Sequence, residues 1–257
     1  MIDTHAHLNY VPLAAEVEAV LARAQEVGVD RVVVPATNYD SSQSAIALAT
    51  QYESVFACVG VHPADTFSPE ATSGLEELLQ VHPEIVAVGE VGLDYYRLPP
   101  EGVGEVKERQ RVAFLQQIEL AKRYEKPLII HTRDAFTDAH TLLNKAARDQ
   151  PVVIHCFTGI LEEAQAWLDL GFHLSLTGIL TYKNAGDLRE VISHVPLERV
   201  MVETDSPYLA PQLHRGTTCE PAYVTEVVRC LAELYGRSVE EVAEQTTSTA
   251  EQFFKLP

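Results

Sequence analysis

The chain has 257 residues, 46% of them hydrophobic and 22% charged, with no residue type dominant and a mean hydropathy of −0.02. That is enough to bury one sizeable core, and it excludes disordered, collagen-like and coiled-coil architectures. Nineteen basic residues against 37 acidic ones leave a formal charge of −18, which disfavours wrapping duplex through blanket positive charge but permits a locally positive pocket or metal ions.

The chain opens MIDTHAHLNY, with an acid at position 3 and no apolar run. No signal peptide is expected there, and no later stretch reaches the ~18 apolar residues of a membrane span. Cys58, Cys156, Cys219 and Cys230 are too scattered for a disulfide framework or a CxxC metal site. Free thiols in a soluble cytoplasmic protein are the expectation.

A first apolar run surrounds Ile2. AAEVEAVLARAQEVG then reads as a helix with Val17, Val20, Leu21 and Ala24 on one face and Gly28 as its stop. Apolar runs follow at RVVVPA (31–36), VFACVGV (55–61) and IVAVGEVG (85–92). The long helical pattern VKERQRVAFLQQIELAKRYEKP ends before Pro127. Next come PLIIHT (127–132), VVIHCF (152–157), a helix ILEEAQAWLDLG ending at Gly171, FHLSL (172–176) and RVMVETD (199–205). The tail carries EPAYVTEVVRCLAELYG, closing at Gly236, and SVEEVAEQTTSTAEQFF, where Ser238 and Glu241 have capping-box spacing.

The apolar runs are short, β-branched and mostly apolar on both faces, as buried parallel strands should be. Eight of them alternating with helices predict an α/β fold, a (β/α)8 TIM barrel spanning 1–257 as a single domain. A doubly wound sheet is the alternative. It would usually show a Gly-rich turn after the first strand, where this chain has THAHLN.

In a barrel the C-terminal strand ends converge on one mouth. His5 and His7 follow the first strand, His62 the third, and Glu90 and Asp94 the fourth. His131 ends the fifth, His155 sits late in the sixth, and Glu203 and Asp205 end the eighth. Any one of these could be a hydrogen-bonded structural residue, a turn residue or a loop charge. The His-x-His pair is more telling, because period-two geometry turns both imidazoles to one side. Together, His5, His7, Glu90, His131, His155 and Asp205 exceed what one tetrahedral ion uses. They suit two divalent ions bridged by a carboxylate, with Zn, Mn, Fe, Co or Mg all compatible. Such a pair activates a water for hydrolysis of a phosphoester, amide or ester.

The blocks DTHAHLN (3–9), GVHPAD (60–65), GEVGLDYYR (89–97), PLIIHTRDA (127–135), HCFTG (155–159) and ETDSPYLAP (203–211) resemble, in order, the signatures of the TatD family. These are metal-dependent deoxyribonucleases of the amidohydrolase superfamily, and the resemblance runs from Met1 to about Phe254. It implies that His5, His7, Glu90 and Asp205 hold one metal, and that Glu90, His131 and His155 hold the other, with Glu90 bridging. Two positions depart from the pattern. Cys219 stands where Asn is usual, which puts substrate contacts on that loop in question. Thr249 replaces a near-terminal Asn and reads as a helix-packing matter.

Arg133 and Arg215 are candidates for holding phosphate oxygens, with plain surface arginines as the alternative reading. Tyr95, Tyr96 and Arg97 are placed to stack a base or pair with phosphate, and Tyr182 and Lys183 have a weaker claim. Glu203, His62 and Asp94 are expected to support ligands, Glu203 also being a candidate for an additional metal. Cys156, next to His155, is expected to point into the core. Asp205 is the expected general base, with Glu203 its competitor. The implied function is removal of nucleotides from DNA 3′ ends or short single strands, with no obligate protein partner visible. The same centre acting on an amide, lactone or aminoacyl ester is the alternative, and a non-catalytic regulatory barrel would have lost a ligand.

Overall fold

Strands that are apolar on both faces need cover on both. The computed structural model, which describes residues 1–68 and 70–257, supplies it by rolling one parallel sheet into a barrel. Its strands pair in chain order: β1 (Ile2–Asp3), β2 (Arg31–Val34), β3 (Val55–Val59), β4 (Ala87–Asp94), β5 (Leu128–Arg133), β6 (Val152–Ile154), β7 (His173–Leu176) and β8 (Val200–Val202). Around it lie α1 (Val17–Glu26), α2 (Tyr39–Gln51), α3 (Leu75–Val81), α4 (Val103–Arg123), α5 (Phe136–Ala146), α6 (Leu161–Asp169), α7 (Gly186–Ser193), α8 (Val224–Tyr235) and α9 (Val239–Phe254). This is the (β/α)8 architecture. Among the described residues no helix is long and apolar enough to cross a membrane.

Alternation divides the core into two layers. Val32, Val34, Leu128 and Ile130 pack outward against helix residues such as Phe114, Ile118 and Leu143. The residues between them, Val33 and Ile129, turn into the lumen with Ile2, Ala87, Val153 and Met201. Phe253 and Phe254 of α9 join that inner cluster. The tail helix therefore plugs the N-terminal end of the barrel and leaves the other end free for polar side chains. Its start is fixed as the spacing predicts, with Glu241 N–H donating to Ser238 Oγ (3.1 Å) and Ser238 N–H to Glu241 Oε2 (2.9 Å).

Several strands are shorter than their apolar runs, and at the site this matters most for two. β6 stops before His155, and β8 stops before Glu203 and Asp205. β1 has two residues, too few for a regular ladder to its neighbour β8. Instead Thr4 N–H and Oγ1–H both donate to Val202 O (3.1 and 3.0 Å). Beyond them, Asp205 N–H donates to His5 O (2.9 Å) and His7 N–H to Ser206 O (2.8 Å).

Asp3 completes this seam. Its Oδ1 accepts from His5 N–H (3.2 Å) and Thr204 N–H (3.0 Å), and its Oδ2 from Thr204 Oγ1 (2.6 Å). The carboxyl is fully buried, which pushes its pKa up to about 8 although these bonds favour the ionised form.

Asp3→Ala would strand two buried backbone N–H groups and a hydroxyl. It should cost about 2–4 kcal/mol of stability in the metal-free protein, read as a lower urea midpoint at unchanged slope. Asp3→Asn, which keeps an acceptor for both N–H groups, should cost less. A loss below about 1 kcal/mol for Asp3→Ala would show that the backbone bonds close the seam unaided.

Candidate metal centre

The seam decides where the first ligand candidates point. Past Asp3 the chain stays extended, with Ala6 bridged to Ser206, so His5 and His7 on either side of Ala6 face the same way. Glu90 arrives through a bulge in β4: Val88 pairs with Leu128 but Val91 with Ile130, one residue more on β4 than on β5. Two glycines permit the crowding. A Cβ at Gly89 would sit 2.5 Å from the Ile129 Cβ, and one at Gly92 only 1.9 Å from His131 O.

His7, Glu90, His131, His155 and Asp205 line a basin of about 640 Å³ at the C-terminal end of the barrel, and His5 lies buried against Glu90 and Asp205. His5 Nε2 is 3.6 Å from Glu90 Oε2 and 3.7 Å from Asp205 Oδ1. His7 Nε2 is 3.9 and 3.6 Å from the same two atoms. Across the basin His131 Nδ1 lies 2.7 Å from Glu90 Oε1, and His155 Nε2 lies 3.7 Å from it. Glu90 thus stands between two pairs of imidazoles. Ligand-capable atoms of His5, His7 and Glu90 lie within 4.8 Å of one another, as do those of His62, Glu90 and His131, and those of His5, His155 and Glu203.

The outer nitrogens of two rings meet carboxylates. His131 Nε2 is 3.3 Å from Asp94 Oδ2, and His155 Nδ1 is 2.7 Å from Glu203 Oε1, which also accepts from Cys156 N–H at 2.8 Å. Both carboxylates are buried. His5 is different: it is fully buried and neither ring nitrogen has a hydrogen-bond partner. An unpaired buried polar group is costly, and burial also pushes the His5 pKa down, so its lone pair is available. Burial pushes the Glu90 carboxyl up, but His62, His155, His131 and His5 outweigh it and hold it well below the usual range. Burial likewise lowers His155, but Glu203, Glu90 and Asp205 outweigh that and drive it up to about 10. So many buried carboxylates call for positive charge, which a divalent cation among these atoms would provide.

Arg97 and Arg133 line the basin. Arg97 is held 3.4 Å from Asp94, and the Arg133 guanidinium lies 3.7 Å from the centre of the Tyr96 ring. Tyr95 faces a neighbouring cavity of about 630 Å³, with its hydroxyl on Asp138 (2.7 Å). Arg215 stacks over Tyr182, 4.2 Å from the ring centre. Neither it nor Lys183 is among the basin's lining residues.

Cys156 does not point into the core. The strand has ended and the backbone turns left-handed there (φ 48°), so alternation fails and the half-buried thiol lines the basin beside His155. Asp205 is left-handed too (φ 57°). It reaches the site by a turn and not by strand periodicity. Cys219 is buried away from the basin, and Thr249 bonds back to Gln245 O at 2.9 Å within α9. Tyr10, stacked 4.6 Å from His7, and Tyr208 also line the basin. Their only signal in the sequence was position, next to the DTHAHLN block and inside ETDSPYLAP.

Residues 2–255 match the family model described as TatD related DNase. A Bacillus subtilis protein named as the uncharacterized metal-dependent hydrolase YabD is 37% identical, covering 100% of this chain and 99% of its own. An Erwinia billingiae protein named 3′-5′ ssDNA/RNA exonuclease TatD is 34% identical over 100% of both. The crystal structure of the TatD homologue YjjV of Escherichia coli superposes with a TM-score of 0.92 at 32% identity, covering 100% of this chain and 98% of that one.

Because a Cβ at Gly92 (φ 144°) would overlap His131 O, Gly92→Ala should force β4 and β5 apart. The expected loss is more than about 3 kcal/mol, with the metal-binding capacity falling alongside it. Gly104→Ala in α4, where a Cβ meets nothing within 4 Å, should instead gain about 0.5–1 kcal/mol. Thermal unfolding of the two variants side by side tests the contrast, and equal effects would refute it.

Proposed function

The chain belongs to the TatD-related DNase family, and from that membership and the basin's chemistry we propose a metal-dependent phosphodiesterase that removes nucleotides from single-stranded DNA ends. The observation that carries this reading is the convergence of two arginines, Arg97 and Arg133, on the basin lined by His7, Glu90, His131, His155 and Asp205. Those are receptors for an anion beside receptors for a cation. The name of the Erwinia relative supports the same substrate class.

His5, His7, Glu90 and Asp205 would hold one divalent ion, and Glu90, His131 and His155 the other. Bound there, two such ions supply the positive charge that acidifies an attacking water and neutralises phosphoryl oxygens. Asp94 lies 3.3 Å from His131 Nε2 and Glu203 2.7 Å from His155 Nδ1, so each carboxylate would hold the outer N–H of a ring that turns its other nitrogen to a cation.

Two observations favour Asp205 over Glu203 as the base. Glu203 Oε1 is engaged by His155 and by Cys156 N–H, and its side chain is only 2% exposed. Asp205 has a side chain 16% exposed to the basin. Its carboxyl is pushed up by burial, but His7, His155 and His5 outweigh this and lower it, which keeps it in the ionised form that a base requires. Arg133 and Arg97 would pair with the phosphates flanking the scissile bond.

Asp205→Asn should retain most metal while kcat falls roughly 10²–10⁴-fold. Glu203→Gln should cost less in kcat and more in metal affinity, by roughly 10–100-fold. A greater kcat loss for Glu203→Gln with metals bound would transfer the role of base to Glu203.

The substrate class is tested by incubating metal-loaded protein with end-labelled single-stranded DNA, beside duplex, an amide panel and a lactone panel. Stepwise shortening of the single strand is expected. Arg133→Ala should raise KM and flatten its salt dependence. Intact DNA with a hydrolysed amide or lactone would overturn the proposal.

A further inference from the structure

Five imidazoles crowd this basin, and what each ring's second nitrogen touches sorts them. His62 follows β3 and caps the turn Pro63–Asp65 with its own ring: Ala64 N–H donates to His62 Nδ1 at 2.9 Å. A ring nitrogen that accepts a hydrogen bond carries no proton. Neutral His62 must therefore carry its hydrogen on Nε2.

Nε2 is the nitrogen near the ligand cluster, 3.7 Å from Glu90 Oε1. The ring lines the basin together with Arg97 and His131, its centroid 4.4 Å from that of His131. His131 and His155 are arranged the opposite way. Each turns its outer nitrogen to a carboxylate, Asp94 or Glu203, and its inner nitrogen to Glu90, so that with a cation among the inner atoms the outer nitrogen would keep the proton. His62 turns one nitrogen to a backbone donor, which leaves an N–H for the basin. Although its ring nitrogen, Glu90 and His131 lie within 4.8 Å of one another, His62 is the wrong way round for a ligand. Coordination through Nε2 would require Nδ1–H to face the Ala64 N–H.

We infer that His62 is a catalytic hydrogen-bond donor, its Nε2–H binding an oxyanion oxygen of the scissile group. The bond strengthens as charge builds on that oxygen in the transition state, and the proton stays on the ring. The identity of the oxygen rests on the phosphodiesterase reading; the donor itself rests on the turn.

The informative variant is His62→Asn. Asparagine also caps turns by accepting a backbone N–H, so the Ala64 contact has a replacement, but its short side chain presents no N–H to the basin. In the zinc-loaded variant, metal stoichiometry should equal that of the wild type. Affinity for inorganic phosphate should fall roughly tenfold. On single-stranded DNA, kcat should fall roughly a hundredfold with little change in KM. Nitrogen-15 spectra of the labelled zinc-loaded wild type should show His62 with its proton on Nε2. A proton on Nδ1, loss of a metal ion in His62→Asn, or phosphate affinity and kcat both unchanged would each overturn the inference. Should the wild type leave DNA intact, the phosphodiesterase reading fails by itself, while the tautomer, metal content and phosphate affinity still decide the role of His62.

Discussion

Eight parallel strands make a barrel only if the last one finds the first, and here those two strands have three and two residues. A ladder that short cannot hold a register, because a slip of one residue would turn His5 and His7 away from the mouth. Asp3 supplies what the ladder lacks. Its carboxyl takes hydrogen bonds from the residue two ahead on its own segment and from Thr204 on the opposite one. A fully buried carboxyl so engaged admits one register of β1 against β8. That register sets Asp205 beside the His-x-His pair, 3.6 to 3.7 Å from each ring, and the cluster depends on it.

The barrel is sharply one-sided. At the N-terminal end α9 drives Phe253 and Phe254 against Ile2, Val33 and Ile129 in a mainly apolar layer. At the other end the lumen holds Glu90, Asp94 and Glu203 with His5, His62 and His155, all buried. Burying that much charge is unfavourable unless opposite charge and hydrogen bonds accompany it. Carboxylates on imidazoles meet part of the requirement, and His5, with neither ring nitrogen partnered, marks where the protein's own groups run out. The same shortage that destabilises the metal-free site is what would make it bind cations.

The alternation of apolar runs with amphipathic segments was enough to read the barrel, because each run had to be covered on both faces. The residue types at the strand ends were enough to find the cluster. Alternation failed where strands were shorter than their apolar runs. VVIHCF and RVMVETD look continuous, yet β6 and β8 stop early, and left-handed residues at Cys156 and Asp205 redirect the chain. Apolarity reports burial and says nothing about whether a ladder partner is present. Cys156 was therefore misplaced into the core, whereas Asp205 reached the site by a route that periodicity does not describe. Loop residues were hardest of all. Nothing in a sequence fixes how far Arg215 or Lys183 stands from a basin, or that Tyr10 would stack on His7.

An acidic protein has few cations to place, and the way each is held matters as much as its position. On the body of the molecule Arg23, Arg31, Arg109 and Arg111 pair with Glu220, Glu251, Glu105 and Glu108, contacts that spend their charge locally. Around the mouth the partners are aromatic: Arg133 on Tyr96, Lys107 on Tyr95 and Arg215 on Tyr182. A tyrosine ring orients a cation without neutralising it, so these side chains keep their full charge. Arg97, paired with the buried Asp94, is the exception, and there the carboxylate is shared with His131. With a Debye length of about 8 Å at physiological salt, the −18 of the whole surface scarcely reaches a phosphate already seated in the basin, whereas it acts along every turn of a duplex lying across the surface. On the proposed reading, the local field would favour an end or a short strand that can enter the basin over a duplex lying across the surface.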